Sequence, residues 1–144
     1  MSTTSSLLRC LLLAATWFGA GAAVAQVVVI VNPKSAAASG LNAEQVASLY
    51  LGKTNTLPGG ISQALDLPDS QPLREQFYTK ATGKNAAQVK AIWARLAFSG
   101  KARPPKELAS SAEVKKFVAA NADAIGYIEK DAVDGSVKAV LTVD

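Results

Sequence analysis

Residues 67–77, LPDSQPLREQF, place a hydroxyl, an amide and a guanidinium where a helix is predicted to begin. The first turn of a helix leaves backbone N–H groups without partners inside the helix, and these groups attract negative charge. With Ser70, Gln71 and Arg74 beside them, we predict a binding site for a small oxyanion. The alternative is that Ser70 or Gln71 only caps the helix, with Pro72 at its first position and Arg74 solvated.

A second group of basic residues lies on the loop 100–105, GKARPP, whose glycine and prolines exclude a helix. If this loop folds toward the helix start, Lys101 and Arg103 add positive charge to the predicted anion site. The surrounding segment 80–116 holds nine basic and two acidic residues. A solvated basic face, or a broad surface for an acidic protein or an anionic envelope, remains open as an alternative.

The composition excludes most catalytic arrangements. The chain has no histidine, and its one cysteine, Cys10, lies in the N-terminal segment. This removes Cys/His metal sites, thiol nucleophiles and general bases of the histidine type. We therefore expect no enzyme, no metal and no cofactor. Nucleic acid is not an expected partner either, because the basic segment lacks the interleaved aromatic residues of a strand-binding surface.

The first 25 residues have the pattern of a secretory signal peptide. A polar start with the single charge of Arg9 precedes the apolar segment 10–23, and residues 23–25, AVA, match a cleavage site. The apolar segment is short for a membrane span. We predict a signal peptide at residues 1–25 and one exported, periplasmic domain at residues 26–144.

Hydrophobic periodicity predicts an α/β domain with a small mixed sheet flanked by helices. The predicted strands are 27–31, 61–67, 124–128 and 137–143, the last two around a turn at Asp134 and Gly135. Helices are predicted after the caps Asn42, Asn85 and Ser110 and from Pro72 to Gly83. Trp93 falls in an apolar helical stripe, which places it in the core.

Four segments of the chain resemble the second lobe of periplasmic substrate-binding proteins, and most of all the phosphate-type receptors of ABC transporters. They are NAEQVASLYLGK (42–53), DSQPLREQF (69–77), IWARLAFSGK (92–101) and ADAIGYIEKDA (122–132). The resemblance implies a single-lobe domain of the binding-protein type. It also implies weak binding of phosphate or a related oxyanion, and a membrane transporter or another periplasmic protein as partner.

The resemblance is incomplete at the anion-binding turn. The Gly-Ser-Gly-Thr turn of these receptors falls on Ser70, Gln71, Pro72 and Leu73, and the preceding arginine falls near Leu67. Pro72 also lacks the N–H group that could face an anion. Because a single lobe forms half a cleft, tight binding needs a homodimer or another protein as the second wall. A periplasmic protein-interaction module that has lost ligand binding is the alternative function.

Overall fold

A computed structural model describes residues 26–144, so the predicted signal peptide lies outside the described residues. In chain order the helices and strands are β1 (Val27–Val31), α1 (Ala43–Tyr50), β2 (Gln63–Asp66), α2 (Pro72–Thr82), α3 (Ala86–Phe98), β3 (Lys106–Glu107), α4 (Ser111–Ala120), β4 (Ala124–Glu129) and β5 (Lys138–Val143). Two short 3-10 helices cover Ala36–Ser39 and Lys130–Ala132.

The five strands form one mixed sheet in the order β3-β2-β4-β1-β5. Strand β2 runs parallel to β3 and β4, whereas β1 runs antiparallel to β4 and β5. The predicted fold class, an α/β lobe with a small mixed sheet, is therefore confirmed. The turn at Asp134 and Gly135 does not join β4 and β5 into a hairpin, because the wholly apolar β1 lies between them.

Helices cover both faces of the sheet. On one face α1, α2 and α3 pack together, and Tyr50 of α1 and Phe77 of α2 both contact the ring of Tyr127 in β4. On the other face α4 packs against β4 through its buried Val114. Gly126 permits this contact, since a Cβ atom there would lie 2.5 Å from Val114 Cγ1. The glycine in the AIGYI segment is thus required by close packing.

Local capping fixes where most helices begin. Asn42 and Asn85 form complete capping boxes at α1 and α3, as the sequence predicts. Ser110 caps α4 by accepting a hydrogen bond from the N–H of Glu113. The Glu113 carboxylate, however, accepts from the N–H of Ala109 and not from Ser110, so the predicted third box is only half formed. Each cap places a helix start without help from the core.

Candidate functional site

Asp66, the last residue of β2, is the centre of a buried polar cluster. Its Oδ1 accepts hydrogen bonds from the Leu67 N–H at 2.8 Å and from the hydroxyl of Tyr127. Its Oδ2 accepts from the hydroxyl of Tyr78 at 2.5 Å and lies 3.6 Å from Nη2 of Arg74. A buried carboxylate requires hydrogen bonds and a counter-charge, and Asp66 has both.

The register of the sheet and the period of α2 bring these residues together. Strand β2 pairs with β4 at Ala64 and Ile125, and continuing that register by two places sets Asp66 beside Tyr127. Arg74 and Tyr78 are four positions apart in α2, so they lie on one side of the helix. Two neighbouring strands and one helix therefore supply the whole cluster.

The charges within the cluster are fixed by their surroundings. Burial raises the pKa of Tyr78 and of Tyr127 far above the usual value, and the Asp66 carboxylate raises both further. Both hydroxyls are thus neutral donors. Burial is the largest single influence on the pKa of Arg74 and lowers it, but Asp66 together with the other acidic groups around the guanidinium outweighs burial, so the net effect raises that pKa. Arg74 therefore stays charged and neutralises Asp66.

Asp69 continues the cluster toward solvent. Its Oδ1 accepts a hydrogen bond from Nη1 of Arg74 at 2.6 Å, and its Oδ2 accepts from Nζ of Lys90 at 3.1 Å. The hydrogen bond from Lys90, together with the charge of Arg74, lowers the pKa of Asp69. The guanidinium of Arg74 is predicted from the sequence to bind an external anion. In the structure it is already paired with the carboxylates of Asp66 and Asp69. Arg74 is buried and paired, which corrects the alternative of a solvated residue.

At the helix start itself, Gln71 is the N-cap residue but makes no side-chain capping bond. Its amide instead donates a hydrogen bond to the carbonyl oxygen of Ala109 at 3.3 Å. Ser70 precedes the cap and is exposed, so neither residue caps α2 with its side chain. Pro72 stands at the first helical position, as predicted.

Several backbone N–H groups at this start are already bonded or missing. The Gln71 N–H donates to the carbonyl oxygen of Pro68, and the Arg74 N–H donates to that of Gln71. Pro72 has no N–H group at all. An anion in front of α2 would therefore meet fewer free donors than the ordinary first turn offers.

The basic loop lies at the other end of β2. Arg103 lines a groove with Gln63, the first residue of β2, and with Lys106 of β3. Lys101 and Arg103 also line a neighbouring groove that contains Asn55. Residues 70–74 follow the last residue of β2 and line neither groove. The structure thus places Ser70, Gln71 and Arg74 beyond the last residue of β2, and Arg103 beside the first residue of that strand.

A groove of about 250 Å³ is shared by these two regions, since the two prolines of the basic loop also line it, and it carries mixed charge. Arg74 and Lys90 line it, but so do the carboxylates of Asp66, Asp69 and Glu107. Trp93 and small apolar residues form the remaining wall. The acidic side chains of this groove thus outnumber its basic side chains by three to two.

Sequence reasoning misses Asp66 and Tyr78 as members of one polar cluster. Asp66 alternates with apolar neighbours along β2, which predicts an outward, solvated carboxylate. That face of the sheet is in fact covered by helices. Tyr50 reaches the same region, where its hydroxyl donates to the carbonyl oxygen of Leu65 at 2.7 Å, and burial raises its pKa. An acidic residue inside a predicted strand is the only signal the sequence offers.

Comparison with solved structures shows what this arrangement of strands and helices is. A phosphate ABC transporter substrate-binding protein of Clostridium perfringens, with bound phosphate, matches at a TM-score of 0.63 and 22% identity, covering 81% of this chain and 44% of that one. An ABC-type phosphate transport receptor of Vibrio cholerae matches at a TM-score of 0.62 and 21% identity, covering 81% and 45%. The chain has the fold of one lobe of a periplasmic substrate-binding protein.

The lobe also matches PstS of Borrelia burgdorferi at a TM-score of 0.57 and 12% identity, covering 79% of this chain and 46% of that one. It therefore spans less than half the length of these structures. At these identities the likeness concerns the fold alone. No protein-family model matches the lobe, and no curated protein matches it.

The lobe has no helix, among residues 26–144, with the length and apolar character needed to cross a membrane. The structures that it resembles are substrate-binding proteins of transport systems and not enzymes. The anion-binding role of Ser70, Gln71, Arg74, Lys101 and Arg103 stays a prediction.

Proposed function

We propose that this chain is a non-enzymatic, exported module that acts by contacting a partner in the periplasm through its surface. In this proposal it no longer binds free phosphate. The observation that carries the proposal is the pairing of Arg74 with Asp66 and Asp69. Because transport receptors share this fold, a component of a membrane transporter is one partner class that the fold favours.

The internal carboxylates oppose phosphate in two ways. An incoming anion must displace Asp69, which binds Arg74 at 2.6 Å and Lys90 at 3.1 Å. It must also approach the buried charge of Asp66, which repels it across a short distance in a medium of low dielectric constant. The basic residues Lys101 and Arg103 do not line the groove that contains Asp66, Asp69 and Arg74, so they do not offset this repulsion at close range.

Weak oxyanion binding at the start of α2 is the second candidate. It is favoured by the bound phosphate of the similar Clostridium perfringens protein and by the exposure of Ser70. In this case phosphate would replace Asp69 as the partner of Lys90. A homodimer would then provide the second wall that one lobe lacks.

Calorimetric titration with phosphate and with sulfate, in a low-salt buffer free of both, separates the two candidates. The proteins are the wild type, Asp69→Asn and the control Asp131→Asn, which removes an exposed carboxylate elsewhere. We expect no saturable heat from the wild type or the control up to millimolar anion. Heat from Asp69→Asn alone would show that Asp69 takes the place of the anion.

Saturable heat from the wild type with phosphate would overturn the proposal and establish the second candidate. Light scattering on the same samples then shows whether a dimer forms. If Ser70→Ala lowers the affinity, the anion lies at the start of α2. If only Lys101→Ala does so, the anion lies at the basic loop 100–105.

A further inference from the structure

Phe98, the last residue of α3, is 96% exposed and is the only exposed large apolar side chain among residues 26–144. Every other aromatic residue of that range is at least partly buried, and Phe77 and Tyr78 are fully buried. Isolated apolar side chains are common on protein surfaces, so exposure alone does not indicate a function. The charges around Phe98 supply the second observation.

The surface around Phe98 is positively charged, and its charges are unpaired. Residues 76–106 contain seven basic and no acidic residues. Arg95, Lys101 and Arg103 are exposed and lie within five positions of Phe98. Their side chains form no ion pair or hydrogen bond within the part of the chain that the structure describes. Lys90, by contrast, is held by Asp69 at 3.1 Å.

The aromatic ring of Phe98 projects alone from this surface. Ala94 lies one helical turn before Phe98 and is itself exposed, so no large neighbour shields the ring from that side. Ser99 and Gly100 follow it at the end of the helix and are also exposed. The aromatic ring thus stands above small residues, with basic side chains on both sides along the chain.

We propose that Arg95, Phe98, Lys101 and Arg103, the basic–aromatic surface, dock on an anionic lipid bilayer. Phe98 enters the interfacial region, and the three cations lie against lipid phosphates. This inference rests on the proposed function, since it names the partner of a module that acts by surface contact.

A bilayer fits these observations better than a folded protein does. A stable protein interface buries about 800 Å² on each partner around a well-packed apolar centre. Here the apolar part is one aromatic ring. The cations around it form no ion pair or hydrogen bond within the described residues that would hold their positions. An anionic bilayer needs no shape complementarity, because aromatic residues enter its interface singly and its surface potential attracts each nearby cation separately.

Sedimentation with lipid vesicles tests this docking on residues 26–144, which contain all the strands and the hydrophobic core that the structure describes. Circular dichroism first establishes that each variant is folded and melts cooperatively. The vesicles consist of phosphatidylglycerol and phosphatidylcholine in equal parts, or of phosphatidylcholine alone. We expect binding only to the anionic vesicles, and its loss at high salt because exposed charges are screened.

Matched variants show whether binding depends on the residues of the basic–aromatic surface or only on the net charge of the protein. The pair Lys101→Glu with Arg103→Glu should abolish binding, because each removed cation alone weakens it about fivefold. The control pair Lys130→Glu with Lys138→Glu makes the same change in net charge at two other exposed lysines. We expect the control pair to keep most of the binding, and Phe98→Ala to weaken it about tenfold.

Fluorescence of Phe98→Trp shows whether the ring enters lipid. The one other tryptophan of residues 26–144, Trp93, is buried and serves as a constant background. We expect a blue shift on anionic vesicles and quenching by brominated lipid.

Three results would overturn the inference: no sedimentation at low salt, equal loss in both charge pairs, or an unchanged affinity of Phe98→Ala. If no sedimentation occurs at low salt, an acidic protein is left as the partner that binds this surface. The phosphate titration tests the proposed function separately. If phosphate gives no heat and the vesicles are not bound, only the inference that the partner is a bilayer is rejected.

Discussion

The start of α2 and the basic–aromatic surface contain the same kinds of residues in opposite situations. At α2, Arg74 is buried against Asp66 and Asp69, with its guanidinium over the ring of Tyr78. At the end of α3, Arg95 and its neighbours are exposed and unpaired within the described residues. The difference teaches that a basic residue at a predicted binding turn can already be paired within the fold when the chain supplies its own carboxylates.

The two regions should therefore answer mutation differently. Changes at the paired region should alter the stability of the fold, because they leave charges or hydroxyls buried without partners. Changes at the unpaired region should alter binding and leave stability nearly constant. Four measurements can sharpen or break this contrast.

The largest effect is expected from Asp66→Ala. Removing the carboxylate leaves the guanidinium of Arg74 and two tyrosine hydroxyls without their buried acceptor, which should lower the free energy of unfolding by about 3–5 kcal/mol. Urea denaturation followed by circular dichroism measures this change. Asp131→Ala, at an exposed position, is the control. A loss below about 1 kcal/mol at Asp66 would show that the cluster does not hold the fold together.

Tyr127→Phe should have a smaller effect. It removes only the hydroxyl that donates to Asp66 and keeps the ring stacked on Phe77, so a loss of about 1–3 kcal/mol is expected. A double-mutant cycle with Asp66→Ala measures the coupling between the two groups. Strictly additive losses would mean that the hydrogen bond contributes nothing.

A weak pH dependence should come from Asp69. Its pKa is lower in the folded chain than in the unfolded one. The unfolded state therefore binds the proton first as the pH falls, and the stabilisation present above the usual carboxyl pKa is lost below it. The difference in unfolding free energy between wild type and Asp69→Asn should be constant at neutral pH and should shrink below about pH 4. A difference that grows on acidification would contradict this pairing.

The smallest effect on stability is expected at the basic–aromatic surface. Replacing both Lys101 and Arg103 with alanine should change the unfolding free energy by no more than about 0.5 kcal/mol, because neither side chain has a partner among residues 26–144. Thermal melts at low and high salt measure it. A larger loss would mean that these residues support the fold, and the contrast between the two regions would fail.

Much of the fold follows from local sequence rules. The caps at Asn42 and Asn85, the helix that begins at Pro72, and Trp93 in the core are all predicted and confirmed. These features depend on residues close together in the sequence. The strand β3 is not predicted, because two residues are too few to show a hydrophobic periodicity.

The candidate site is less predictable, because it depends on which distant segments meet. The sequence identifies the start of α2 but not that Asp66 and Asp69 bind Arg74 there. It likewise shows Lys101 and Arg103 on a loop, but not the edge of the sheet on which that loop lies. The likeness of the 69–77 segment to a phosphate-binding turn indicates the fold correctly and leaves the ligand open.

The position of β1 has a consequence for the order of events during synthesis. It is the first described strand in the chain, yet it lies inside the sheet between β4 and β5, where Val27 pairs with Glu129 on one side and with Val143 on the other. Contacts so far apart in sequence form slowly. The ribosome must release residues 124–143 before either neighbour of β1 exists, so the domain completes its fold only after its last strand has been made.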